Sequence, residues 1–405
     1  MHILFISPRQ CWPAVSGAKL REYHLCKALG AGARVHYLFY TDPLRAAPTT
    51  TELPFCEAVT PVPPIRPYSK GHLLRGVTGP TPVSVLNYTT PDMEAAIRKI
   101  AGVGAFDLVH LDSIHLAAYE PLLRNLQPKA RIVYDWHNIE SDLLKQYASH
   151  GSGRARRFYS GLTARKMAAL ERRILHSAFG HIVCSLRERN ELIELTPKAR
   201  IEVIENGVDA TRFSATPRPS ASRNRLLFVG LMNNHANMAA VIWFTKRIWP
   251  GLREKFPQLR FTIVGTDPAP EVRALASEPG VEVTGTVPEV TPYYEEAMAA
   301  VVPLLAGSGT RLKILEAMAA GVPAVSTPIG AEGLDIAEGE NILIVPGDVP
   351  GSQEKWVAAI EKLVPQDELW VKLAAAGRAL VESRYGWDVI GKNVFEVYSR
   401  WVKTG

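Results

Sequence analysis

Short β-branched runs alternate with longer stretches of helical spacing along the whole chain, and this alternation restricts the fold more than any single motif does. Strands separated by helices rejoin one sheet through crossover connections, so the pattern predicts βαβ units and parallel sheets. In the first half the expected strands are residues 2–7, 34–40, 108–112, 131–135, 181–185 and 201–205. The pattern then starts again, with strands expected at 226–229, 260–264, 281–286, 299–304 and 324–326 and helices over 239–255 and 310–320. A chain of 405 residues has room for two or three domains of roughly 100–200 residues, and the restart argues for two. Gly207, Pro217 and Pro219, followed by small polar residues, mark a linker within 206–222. The expected layout is one α/β domain over 1–207, a second over 208–386, and a terminal helix over 387–405 with Ile390, Val394, Val397 and Trp401 at helical spacing. Residues 43–82 hold nine prolines and are read as a folded loop excursion without regular elements.

Apolar residues at 47% and charged residues at 21% supply a core for each domain and exclude extended disorder. The net charge of +6 is uneven: residues 1–210 hold 26 basic and 19 acidic side chains, and the remainder is nearly neutral. Much of the excess lies in Arg154, Arg156, Arg157, Arg165, Lys166, Arg172 and Arg173, with Glu171 alone opposing. At helical spacing these cations form either a solvated helix exterior or a face for an anionic membrane surface. The run lacks the interleaved aromatics of a nucleic-acid reader. Cys11, Cys26, Cys56 and Cys184 fit neither metal-ligand nor disulfide-framework spacing and are expected as free thiols. No apolar run is long enough to span a bilayer, and residues 1–7 read as a first strand and not as a secretion leader. A cytoplasmic protein is expected, at most peripheral to the inner face of the membrane.

The densest chemical signal runs from Gly307 to Gly321, where a strand gives way to a glycine turn and then a helix. A helix starting at the carboxyl edge of a parallel sheet directs free N–H groups into the crevice and binds phosphate. Arg311 adds a planar bidentate donor in a position that helix polarity disfavours. Glu316, two turns on and flanked by alanines, is a carboxylate able to accept from two sugar hydroxyls. Lys313 is expected as a solvated cation paired with a neighbour. In the first half His137 and Asn138 follow a strand at its carboxyl end, and Asp112 ends another, placed either to orient a ligand or to cap the next helix.

The Gly307–Gly321 run, the segments Gly330-Ala331-Glu332-Gly333 and Ile204 to Asp209, the turn Leu227 to Gly230 and the turn Pro13 to Gly17 together resemble the family 4 glycosyltransferases, over nearly the whole chain. The resemblance implies a GT-B architecture: two Rossmann-like domains facing a central cleft, with a terminal crossover helix returning to the first. It implies metal-independent, retaining transfer of a sugar from a nucleotide-diphosphate sugar to a saccharide or lipid-linked acceptor, with no cofactor. Glu316 would bind the ribose. Gly309, Thr310 and Arg311 would lie at the diphosphate, Gly230, His235, Ser308 and Leu312 would also line the donor site, Gly17 would approach the donor phosphates, and His137 would lie near the donor sugar and the acceptor. Arg311, His137 and Glu316 are thus the expected catalytic set.

Two departures stand out. Ser308 takes the place of the first Glu of the family's Glu-x7-Glu pattern. The stretch Leu231 to Asn237 lacks the Arg and Lys that many relatives carry after Gly230 to neutralise the diphosphate, which leaves Arg311 and then His235 as expected substitutes. A sugar-nucleotide epimerase and a non-enzymatic sugar-binding protein are competing readings. An NAD-dependent enzyme is disfavoured, because one glycine in residues 8–17 makes no Gly-x-Gly-x-x-Gly.

Overall fold

The computed structural model describes residues 1–65, 68–150, 154–213, 224–307, 311–364 and 367–404, without side chains at 70, 146–150, 154–158 and 367. Two compact units result: Met1–Asn206 with Ile390–Gly405, and Gly207–Val389.

The first unit is built on seven parallel strands: β1 (His2–Ser7), β2 (Arg34–Tyr40), β3 (Ala58–Val62), β4 (Leu108–Leu111), β5 (Arg131–Trp136), β6 (Gly180–Val183) and β7 (Ile201–Val203). Their order is β3-β2-β1-β4-β5-β6-β7, so chain direction across the sheet reverses between β1 and β4. Ile3 pairs with Val35 on one side and Leu108 on the other. Helices cover both faces, which is why β1 and β4 are almost wholly buried apolar runs. The last helix, Trp387–Lys403, contributes Ile390, Val394, Tyr398 and Trp401 to this unit's core.

The excursion expected over 43–82 contains regular elements after all. Strand β3 pairs with β2 from His36↔Ala58 to Tyr40↔Val62, and a helix spans Lys70–Thr78 with Ser69 as its cap. β3 is the sheet's edge, where Pro61 removes an N–H that a central strand would miss.

The second unit repeats the plan with β8 (Arg225–Val229), β9 (Arg260–Val264), β10 (Val281–Gly285), β11 (Ala299–Val302), β12 (Ala324–Ser326) and β13 (Leu343–Ile344), in the order β10-β9-β8-β11-β12-β13. The helix expected over 239–255 starts earlier, at His235–Trp243, and passes through a π turn at Phe244–Ile248 into Trp249–Lys255. Pro250, which cannot donate to the preceding turn, lies where the path changes. All four cysteines are buried and free.

Candidate functional site

Each sheet reverses beside its first strand, and polar side chains gather at the strand ends there. In the first unit Asp112 is fully buried after β4, and its Oδ1 lies 3.2 Å from His137 Nε2 and 3.6 Å from His110 Nε2. The other His110 nitrogen meets the Tyr398 hydroxyl at 2.6 Å, and its ring stacks on Phe5. Glu22, from the helix Gly17–Gly30, accepts from Ser7 Oγ at 3.0 Å and faces Arg9 Nε at 3.0 Å. Burial and then the neighbouring Asp112 push Glu22 well above the usual carboxylate range, against Arg9 and Ser7. Burial acts on Asp112 in the same sense, but His137, His110 and Glu22 outweigh it and hold that carboxyl low. Of the two carboxyls, Glu22 is therefore the one that holds a proton more tightly. Of the His110, Asp112 and His137 side chains, that of His137 reaches solvent, at 16% exposure. Burial and then Glu171 lift nearby Glu140 to about 7.

Two sets of ligating atoms, from Glu22, Asp112 and His137 and from His110, Asp112 and Asp135, are close enough to hold an ion. Arginines stand beside two of these carboxyls. Arg21 Nε and Nη2 grip the two Asp135 oxygens at 2.8 Å each, and its Nη1 donates to Ile204 O at 2.7 Å. Arg9 faces Glu22.

In the second unit Asn234 caps the helix His235–Trp243 by accepting from the Ala236 and Asn237 N–H groups. After β11 the chain turns at Gly307, whose φ of 129° is open to glycine. A Cβ on Gly307 would lie 3.5 Å from Ala236 Cβ, so this turn adjoins the start of that helix. Arg311 then precedes the helix Leu312–Ala319 and is nearly buried, donating to Gly307 O at 2.9 Å and Ile329 O at 3.2 Å, with Glu332 at 3.9 Å. Glu316 accepts from the Tyr294 hydroxyl at 2.9 Å; burial raises its pKa against Tyr294, Arg212 and Lys313. Lys313 Nζ donates to Asn237 Oδ1 at 2.8 Å and lies 4.8 Å from the Phe228 ring centroid. Burial and then Arg311 bring the Lys313 pKa down to about 8, with Glu316 opposing.

The expected residues thus divide between the units. Gly230, His235, Arg311, Leu312 and Glu316 belong to the second, with His235 exposed at its helix start and Gly230 N–H bound to Val264 O at 3.0 Å. Gly17, which opens the helix Gly17–Gly30, and His137 belong to the first. Ser308, Gly309 and Thr310 lie outside the described residues.

Three expectations change. Lys313 pairs with a neighbour as expected, Asn237, but is only partly exposed, with its ammonium near the Phe228 ring. Asp112 is no helix cap, since Ser113 accepts from the His115 N–H and leaves Asp112 to His137. Lys166 does not join a free basic face: it donates to the carbonyls of Gly76, Val77 and Gly79 at the end of the helix Lys70–Thr78. Arg165, Arg172 and Arg173 are exposed, while the side chains of Arg154, Arg156 and Arg157 lie outside those described.

Sequence reasoning also passed over Arg21, Glu22 and Tyr294. Arg21 and Glu22 share the buried helix face of Leu25, Cys26 and Leu29, so charges at core spacing were the available signal.

The model of Glycosyltransferase Family 4 matches residues 16–212, and that of Glycosyl transferases group 1 matches 223–366. Glycogen synthase of Mycobacterium tuberculosis is 29% identical over 259 residues, covering 61% of this chain and 60% of its own length; the chain thus spans about three fifths of that relative. The structure of sucrose-phosphate synthase from Thermosynechococcus elongatus superposes with a TM-score of 0.73 over all of both chains at 19% identity. That of Anabaena HepE in complex with UDP-glucose superposes at 0.67 over 99% of this chain and 100% of its own, at 18% identity.

Proposed function

We propose, for a chain that belongs to the group 1 and family 4 glycosyltransferases and has the GT-B fold, that it moves a sugar from a nucleotide-diphosphate sugar to a hydroxyl of a saccharide or lipid-linked saccharide, with retention at the anomeric carbon and without a metal ion. The observation that carries this reading is the second unit's strand edge, where the Gly307 turn, Arg311 and the Glu316 carboxylate occur together. In this reading Glu316 accepts from the ribose hydroxyls. The turn held by Arg311 receives the diphosphate at the start of the helix Leu312–Ala319.

His137, oriented by Asp112, supplies a polar contact for a sugar hydroxyl. The anomeric C–O bond breaks with its electron pair on the phosphate oxygen, the acceptor oxygen bonds the anomeric carbon, and the acceptor proton passes to the phosphate. The protein's part is positioning and electrostatic support, with no protein nucleophile. The UDP-glucose of HepE and the saccharide product named for the glycogen synthase support these donor and acceptor classes.

The test is incubation with UDP-, GDP- and ADP-sugars and a set of saccharide and lipid-linked acceptors, with and without EDTA, reading nucleotide release and anomeric configuration by NMR. Acceptor-dependent release of nucleoside diphosphate with an unchanged anomer, insensitive to EDTA, is expected. Epimerised donor without release, or an inverted product, would overturn it.

A further inference from the structure

We infer that Lys313 is a second diphosphate-binding residue, its ammonium set to meet the phosphate charge that grows as the sugar departs; this rests on the donor reading above. No carboxylate lies within ion-pairing distance of Lys313 Nζ among the described residues. Its hydrogen bond goes to a neutral amide oxygen, Asn237 Oδ1 at 2.8 Å, and Asn237 is itself held by donating to Leu231 O at 3.0 Å. An ammonium bonds three acceptors, so this one partner leaves donors to spare.

Two further features make the position costly without an anion. Lys313 stands in the first turn of the helix Leu312–Ala319, and Asn237 in the first turn of His235–Trp243, so the ammonium lies near two helix ends that repel cations. Arg311 adds a further positive charge. What would relieve all three is an anion at the same strand edge as the Gly307 turn. Arg311 is less suited, because its guanidinium is engaged by Gly307 O, Ile329 O and Glu332 in holding that turn. The division of labour is therefore Arg311 for the loop and Lys313 for the ligand. It also accounts for the Leu231 to Asn237 stretch, where Asn237 offers an anchor for a cation supplied from the opposite helix.

Charged and titratable groups around Lys313 are Arg311 and Glu316 on its own segment, Tyr294 and Arg212 beyond Glu316, and His235 at the start of the facing helix. Free Lys313 loses its proton near pH 8. A nucleoside diphosphate is fully ionised above about pH 7, its last phosphate pKa lying near 6. Affinity for the diphosphate should thus fall between pH 7 and 9.5 while affinity for the nucleoside stays level.

The experiment is calorimetric titration of the full chain with UDP, GDP and ADP and with the matching nucleosides, at both pH values, for wild type, Lys313→Met and Lys313→Arg. At pH 7, Lys313→Met should weaken the preferred diphosphate at least tenfold, the loss expected for a charge-assisted hydrogen bond, and leave nucleoside binding unchanged. Lys313→Arg should retain diphosphate binding at both pH values. A diphosphate affinity unchanged in Lys313→Met, or lost in parallel with that for the nucleoside, overturns the role of Lys313 while the donor reading stands. Wild type that binds none of the three diphosphates overturns the donor reading itself. Should Lys313→Met fail to fold, a wild-type diphosphate affinity that does not change with pH overturns the inference alone.

Discussion

In the proposed reaction His137 meets a sugar hydroxyl in one orientation, and Asp112 supplies that orientation from a fully buried position. Asp112→Asn removes the charge that orients the imidazole and should lower kcat by about 10- to 100-fold, the range for buried partners that position a functional histidine, with donor KM little changed in steady-state assays. Glu22→Gln should be mild by comparison, because burial and Asp112 already favour the neutral form of Glu22. Equal losses in both variants would show that the pair serves the fold alone. Glu316→Ala removes the acceptor proposed for the ribose and should raise donor KM about tenfold or more.

The raised carboxyls have a sign of their own. Burial first, then Glu171 for Glu140, lifts Glu140 and Glu188 from 4.5 to about 7. Between those values the folded chain holds more protons than the unfolded one, so these two groups make stability fall as pH rises through that window. Thermal melts of Glu140→Gln/Glu188→Gln should lose that part of the slope. Much of this site was legible as strand ends and a glycine turn. Glu22 and Lys313 were not, because the sequence shows a charge without showing whether its helix face turns inward.

Among the elements, the central strands were legible because β1 over Ile3–Ile6 and β11 over Ala299–Val302 are continuous apolar runs, as a doubly covered parallel sheet requires. β3 was hidden by its prolines and β13 by its length of two residues, since neither pattern separates an edge strand from a loop. The element with the most polar burden is the helix Gly17–Gly30. Arg21 on it ties β5 through Asp135 to the end of the first unit at Ile204 and Asn206. Arg21→Ala leaves Asp135 charged and unpaired in a fully buried place, and should cost about 3–5 kcal/mol in urea unfolding. Gly265 makes a second, steric test. A Cβ there would lie 1.7 Å from Gly230 O, so the turns after β8 and β9 approach too closely for any side chain. Gly265→Ala should force these strand ends apart and weaken nucleotide binding together with stability, read in one melt with and without diphosphate.

At the scale of the whole molecule the order of the chain and the order of its units differ, because residues 390–404 follow the second unit in sequence yet belong to the first. Phe395 lies against Gly32, Gly391 against Ala28 and Trp401 against Gly180, at distances where these glycines admit no Cβ without movement. Tyr398 closes the chain from His110 to Asp112, so the last helix also reaches the groups that orient His137. Ile390, Val394, Tyr398 and Trp401 are each buried. At about 1.5–3 kcal/mol for burying one such side chain, the four together match much of the roughly 5–15 kcal/mol that holds a domain folded. A chain ending at residue 389 should therefore lose the first unit's cooperative melt while the second unit still unfolds as a unit. Nucleoside diphosphate should still raise the melting temperature of what remains, since Arg311, Lys313 and Glu316, the side chains proposed to bind it, lie in 207–389. Limited proteolysis reads the difference directly: fragments from 1–206 should vanish and a core from 207–389 should survive. Persistence of an intact fragment from 1–206 would show that its sheet and helices suffice without the returning helix, and that Tyr398 and Trp401 add packing to a unit already stable.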